Sequence, residues 1–224
     1  MRKALLEHVD KVLPMPPFCR LAAPVHAHPD MLLWVYGKEI VTYGEYRYIA
    51  KDVFEFLREH GYSITETKQT PSDTYPNDVF LNCAVVGDHL IANKKTISEE
   101  VAQIARRAGL SVIHTNQGYT KCSVAVVGDN AIITSDVSIH RAVSEKGMDS
   151  LLISPEGVGL DGYGYGFIGG ATGSFNGRLL VCGDIFSHSD GKAIDAFCRM
   201  RGVVPTSLSN DPLYDFGTVT VLEI

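Results

Sequence analysis

Two stretches decide the fold: NCAVVGDHLIANKKTISEEVAQIARRAGLSVI (residues 82–113) and SVAVVGDNAIITSDVSIHRAVSEKGMDSLLI (residues 123–153). Read in parallel, each gives an apolar run, a Gly-Asp pair, a second apolar run, a helix-like segment, a glycine and a third apolar run. A Gly-Asp pair between β-type runs predicts a tight hairpin. In the first stretch Ile97, Val101, Ile104 and Ala105 share one helical face. Thr96-Ile97-Ser98-Glu99 has the form of a capping box, with Thr96 accepting from the backbone and Glu99 reaching back. Gly109 and Gly147 stand where a left-handed residue ends a helix. The predicted unit is ββαβ.

Two weaker copies follow the same grammar. MLLWVYGKEIVTYGEYRYIAKDVFEFLREHGYSI (31–64) turns at Gly37-Lys38, carries Ile49, Val53, Phe56 and Leu57 on its helix face, and stops at Gly61. ATGSFNGRLLVCGDIFSHSDGKAIDAFCRMRGVV (171–204) turns at Asn176-Gly177, has a helix near Lys192 to Arg201, and stops at Gly202. A fifth copy is expected to be split across the termini. TVTVLEI (218–224) would be its strand, Arg2 to Leu13 its helix with Leu5, Leu6, Val9 and Leu13 inward, and FCRLAA (18–23) its last strand. A ring closed in this way leaves no open end of the kind a solenoid must cap. The expectation is a single α/β domain over 1–224, a five-fold pseudo-symmetric α/β propeller of ββαβ repeats.

Composition narrows the function classes. A formal charge of −6 and a pI near 5.7 argue against a nucleic-acid binder, which would present a basic face. No apolar run reaches the length of a membrane span. Glu7, His8, Asp10 and Lys11 interrupt any signal-like segment, so a cytoplasmic protein is expected. The cysteines at 19, 83, 122, 182 and 198 are odd in number and form no CxxC pair, which reads as reduced thiols. GYGFIG (164–169) fits GxGxxG, but no strand leads into it and no helix follows at once, so no cofactor is expected. His26 and His28 would share one side of an extended chain, yet no third ligand has suitable spacing, and no metal site is expected.

A ring of five such units resembles the pentein fold of the guanidino-group modifying enzymes and the ribosome anti-association factor. YPNDVFLNCAVVGD (75–88) looks like the family's second repeat, QGYTKCSVAVVGDNAI (117–132) its third, GFIGGATGSF (166–175) its histidine-bearing repeat, and DFGTVTVLEI (215–224) its cysteine-bearing repeat. The resemblance implies an acidic pair after Phe80, a histidine near 168–170 and a cysteine near 217–219. Here these places hold Asn82-Cys83, Ile-Gly-Gly and Gly-Thr-Val. Guanidino hydrolysis needs a thiolate nucleophile, a proton-moving histidine and carboxylates for the cation. The chain therefore looks like a bacterial branch of the superfamily without that chemistry.

In such a ring the segments leading into each first strand converge on a central channel. They are HAHPD (26–30), YPNDVFLN (75–82), HTNQGYTKC (114–122), DGYGYGFIGGATG (161–173) and NDPLYDFG (210–217). The residues expected to meet a small polar ligand, guanidino or amino-acid-like, are His28, Asn82, Asn116, Gln117, Tyr119, Lys121, Tyr163, Tyr165 and Asp215. The glycine-rich loop would either close over a ligand or pack tightly near the axis. Two alternatives stand beside this reading. A hydrolase or amidinotransferase could use Cys122 as nucleophile, with Lys121 favouring its thiolate and His114 within reach. Against this, neighbours along a strand diverge, and Cys122 alternates with Val124 and Val126 as a buried residue would. An interaction protein of the ribosome-factor type is the other.

Overall fold

The computed structural model describes residues 1–224 and contains fourteen strands in five sheets. Leu33–Tyr36 (β1), Glu39–Tyr43 (β2) and Ser63–Thr67 (β3) form the first sheet. Ala84–Val86 (β4), His89–Ala92 (β5) and Ser111–His114 (β6) form the second, and Ala125–Val126 (β7), Ala131–Thr134 (β8) and Asp149–Leu152 (β9) the third. After Val158–Gly159 (β10), the strands Thr172–Phe175 (β11), Arg178–Val181 (β12) and Val204–Ser207 (β13) form another. Leu213–Tyr214 (β14) pairs in parallel with β10. Each three-stranded sheet has one order: an antiparallel hairpin, then a third strand parallel to the second. A parallel partner needs a crossover. Helices Lys51–Glu59, Glu99–Arg107, Val137–Ser144 and Gly191–Arg199 supply it.

The middle strand of each sheet is buried on both faces, as at Ile40 and Val41, Leu90 and Ile91, Ile132 and Ile133, and Leu179 and Leu180. That explains the apolar doublets in the sequence, since a strand covered on both sides loses its alternation. The first strands differ. Val35, Val85 and Val126 are only half-buried. The hairpin and stop glycines Gly37, Gly61, Gly87, Gly109, Gly128, Gly147, Gly177 and Gly202 all have positive φ, between 52° and 83°. The repeated glycines of the sequence therefore mark two recurring left-handed positions per unit. No helix is long and apolar enough to cross a membrane.

Five local expectations are corrected. Helix Glu99–Arg107 is capped by Ser98, whose Oγ accepts from Val101 N at 3.2 Å. Thr96 instead donates to Asn93 O and belongs to the preceding turn, and it is Glu100 that reaches out, to Thr67 and Lys68 N. The helix expected over Arg2 to Leu13 covers only Arg2–Leu5, has no capping side chain, and leaves Leu6 exposed. So short an uncapped helix does not propagate on its own. FCRLAA forms a turn, closed by Phe18 N donating to His26 O, rather than a strand. TVTVLEI forms no strand: Val219 N donates to Thr172 O, while Glu223 O accepts from Lys38 and Tyr62 side chains. Finally, Thr120–Ser123 is one helical turn, so Cys122 precedes its strand and does not alternate along it.

Candidate functional site

The polar centre is assembled from all the segments that lead into first strands. Helix Pro29–Leu32 begins beside His28 and carries Asp30. Asn82 lies just before β4, Lys121 and Cys122 on the turn before β7, Gly169 and Gly170 before β11, and Asp215 and Thr218 in the last segment. Asn82 ties three of them together. Its Nδ2 donates to Asp30 O at 3.1 Å and Cys122 Sγ at 2.9 Å, and its Oδ1 accepts from Lys121 N at 2.7 Å and Cys122 N at 3.2 Å. A carboxamide suits this place because it offers both signs of partner, which the carboxylate of the resembling family does not.

Thr218 ties the rest. Its Oγ1 lies 2.7 Å from Asp30 Oδ2, 2.9 Å from Gly169 O and 3.3 Å from Lys121 Nζ. It holds φ at 70°, a strained value for a β-branched residue. Asp215 Oδ1 and Oδ2 accept from Gly217 N and Phe167 N, each at 2.9 Å, and His28 Nδ1 lies 3.6 Å from Oδ1. Burial raises the Asp215 carboxyl to about 6, with the nearby Asp30 charge adding to the rise and His28 opposing it.

Gly169 and Gly170 resolve the reading of the glycine-rich loop in favour of packing at this point. A Cβ on Gly170 would stand 1.9 Å from Asp215 Oδ1, and one on Gly169 would stand 2.3 Å from Lys121 O. Only bare backbone fits.

Cys122 lies in the core. Cys122 is 4% exposed, and burial, with the charges of Asp30 and Asp215, pushes its thiol well above the usual range. Buried in this way a thiol is a poor nucleophile. His114 is exposed at the end of β6 and accepts from Lys94 N, so it does not serve Cys122. Burial pushes the Lys121 ammonium below its ordinary range, against the opposing pull of Asp30, Cys122 and Asp215.

The other expected residues sit further out. Tyr119 donates to Asp78, it stacks with Phe167 at 6.1 Å between ring centroids, and the Tyr75 ring is tilted against it at 5.9 Å. Gln117 is a brace: its Nε2 donates to Asp136 and its Oε1 accepts from Tyr119 N. Asn116 is exposed and offers its carbonyl to Asn93. Tyr163 and Tyr165 are exposed, with Tyr165 edge-on to Phe167. His26 and His28 lie on two separate turns rather than on one extended segment. No group of three or more His, Cys, Asp or Glu side chains is placed to hold a metal ion. Sequence reasoning missed Asp30, Thr218 and Asp78.

On one side of this centre lies a cavity of about 530 Å³. Val35, Val85 and Val126, from three first strands, line it with Thr172 to Ser174 and the segment 218–223. Lys121 and Thr218 border it from the polar centre, and exposed Lys38 and Glu223 stand at its rim.

This arrangement of sheets and converging turns is the pentein fold. The structure resembles a histidine-to-glycine variant of dimethylarginine dimethylaminohydrolase in an adduct with S-methyl-L-thiocitrulline, at a TM-score of 0.60 and 12% identity, over 93% of this chain and 79% of that one. It also resembles a cysteine-to-serine variant from Pseudomonas aeruginosa complexed with citrulline, at 0.54 and 13%, over 93% and 78%. No curated protein sequence matches the chain. Residues 1–220 match the family of unknown function DUF6873, and the chain belongs to that family.

Proposed function

We propose that the chain closes into a five-bladed ring whose central channel binds a small polar molecule, and that it does not hydrolyse guanidino groups. Closure is supported by the segment 218–223, which runs beside four first strands around the cavity, and by Leu5 packing against Leu180, Cys182 and Leu208. The binding reading rests on one observation: the cavity of about 530 Å³ brings valines from three first strands together with the Lys121 and Thr218 side chains. A mostly apolar cleft with a few convergent polar groups is the usual form of a small-molecule site. His28, Asn82 and Asp215 then act as the buried support of that end and do not touch the ligand, because none of them lines the cavity as Lys121 and Thr218 do. The absence of guanidino hydrolysis is inferred from Thr218 and the Gly169-Gly170 pair at the expected nucleophile and histidine positions, and from a Cys122 held in the core.

Thermal-shift screening with arginine, its derivatives, amino acids and nucleotides tests the binding. A stabilising ligand whose effect is lost in Lys121→Met is the expected result. A flat screen, or a shift that Lys121→Met leaves intact, overturns it. Citrulline release from arginine or methylated arginines would overturn the second half of the proposal.

A further inference from the structure

Lys121 has an unusual setting for a lysine. Its stem is half-buried, it borders the channel, and no carboxylate oxygen lies within 4 Å of Nζ to pair with it directly. Its polar contacts are long, 3.3 Å to Thr218 Oγ1 and 3.5 Å to Val124 O. Through Thr218 it is connected to a carboxylate: the hydroxyl that can accept from Nζ stands 2.7 Å from Asp30 Oδ2. Asp30 Oδ1 is buried and has no hydrogen-bond partner. Amine, hydroxyl and carboxylate thus form a continuous line from the channel into the core.

We propose that Lys121 is a carbonyl-reactive amine, with Thr218 and Asp30 as its proton relay, and that the channel takes small aldehydes or ketones with an apolar body as imine adducts. The inference rests on the channel being the ligand site. Before attack, the ammonium gives a proton to Asp30 through the Thr218 hydroxyl, leaving Nζ with its lone pair. That pair forms a C–N bond to the carbonyl carbon, and the carbonyl π electrons move to oxygen. The resulting oxygen takes the nitrogen's extra proton and becomes the carbinolamine hydroxyl. The hydroxyl then leaves as water with the proton from Asp30, and the nitrogen lone pair closes the protonated imine. One water is released and nothing is oxidised or reduced. Desolvation, which favours the neutral amine, acts in the same direction as the relay. Val35, Val85 and Val126 supply walls suited to an aliphatic chain.

The test is reductive trapping of the intact protein with butanal and sodium cyanoborohydride at neutral pH, read by peptide mass spectrometry. Lys121 is expected to be alkylated before exposed Lys38, Lys94 and Lys95, several-fold faster than any of them. Thr218→Val should slow labelling of Lys121 towards the surface rate, and Thr218→Ser should retain it. Lys121 modified no faster than the exposed lysines overturns the proposal, and this comparison stands even where Thr218→Val fails to fold. A non-carbonyl ligand that stabilises the protein through Lys121, alongside an inert Lys121 amine, would sink the imine chemistry and leave the channel reading in place.

Discussion

Gly109 and Gly170 are both required, for opposite reasons, and the same substitution separates them. Gly109 ends helix Glu99–Arg107 at φ 75°, and a Cβ there would meet nothing within 4 Å. Gly109→Ala therefore costs only the left-handed conformation, about 1 kcal/mol. Gly170 has no positive φ, but its Cβ would stand 1.9 Å from Asp215 Oδ1 and 2.3 Å from Cγ. Backbone cannot yield easily, since Gly170 N donates to Cys122 O and its carbonyl accepts from Phe216 N and Thr218 N. The carboxylate must move instead, breaking its bonds from Phe167 N and Gly217 N. Each hydrogen bond to a charged group is worth roughly 1.5–3 kcal/mol, so Gly170→Ala should cost about 3 kcal/mol or more. Urea unfolding followed by circular dichroism measures both. The cause is isolated by repeating Gly170→Ala in an Asp215→Ala background, where the blocking atoms are gone. The added cost should fall by about 2 kcal/mol or more, as for residues in contact. Equal costs in the two backgrounds would refute the claim that Asp215 dictates glycine at 170.

Two further outcomes follow from the burial of the centre. Asp215 titrates near 6 in the fold, above its ordinary value of 3.8, so the folded state holds a proton that the unfolded chain has released. The contribution of Asp215 to stability should therefore be fully present below pH 4 and be lost, on the order of 3 kcal/mol, as pH rises through 6. In denaturant titrations across pH 4 to 7, Asp215→Asn should lack this fall, and an unchanged slope would remove Asp215 as its source. Iodoacetamide at neutral pH should modify exposed Cys19 promptly and reach Cys122 only after denaturation. Fast labelling of native Cys122 would revive the cysteine-enzyme alternative.

The parts of the fold legible in the sequence are those written by local chemistry. A tight hairpin and a helix stop each need a left-handed residue, so glycine recurs at Gly87 and Gly109 and again at Gly128 and Gly147. A strand covered on both faces needs consecutive apolar residues, so Leu90-Ile91 and Ile132-Ile133 recur between them. The terminal segments carry no such marks. What Arg2 to Leu13 and residues 218–224 do is set by contacts made across the whole length of the chain, and amphipathic spacing alone overestimated the helix. The cap at Ser98 shows the same limit on a smaller scale. Two hydroxyls stand within three residues, and the Asn93 turn, not either propensity, decides which one meets the helix.

The centre was half legible, and the missed half identifies what replaced the expected chemistry. His28, Asn82, Lys121, Cys122 and Asp215 fall at one phase of the pattern, so their convergence follows from it. Asp30, after a proline at the start of a short helix, reads as an ordinary turn residue, and Thr218 as one more β-branched strand residue. Both lie where the pattern leads, but a search for cysteine and histidine passes over them. The two substitutions act together. A threonine at the expected nucleophile position sets its hydroxyl within hydrogen-bond distance of both Asp30 and Gly169 O, and glycine at the expected histidine position lets Asp215 approach to fill the space. With Asn82 satisfied on both sides, the centre holds a hydrogen-bonded carboxylate-rich core where a hydrolase would need an open, protonatable cleft. The only charged group of that core that also borders the cavity is the Lys121 ammonium, which is why the proposed ligand chemistry is placed on the lysine side.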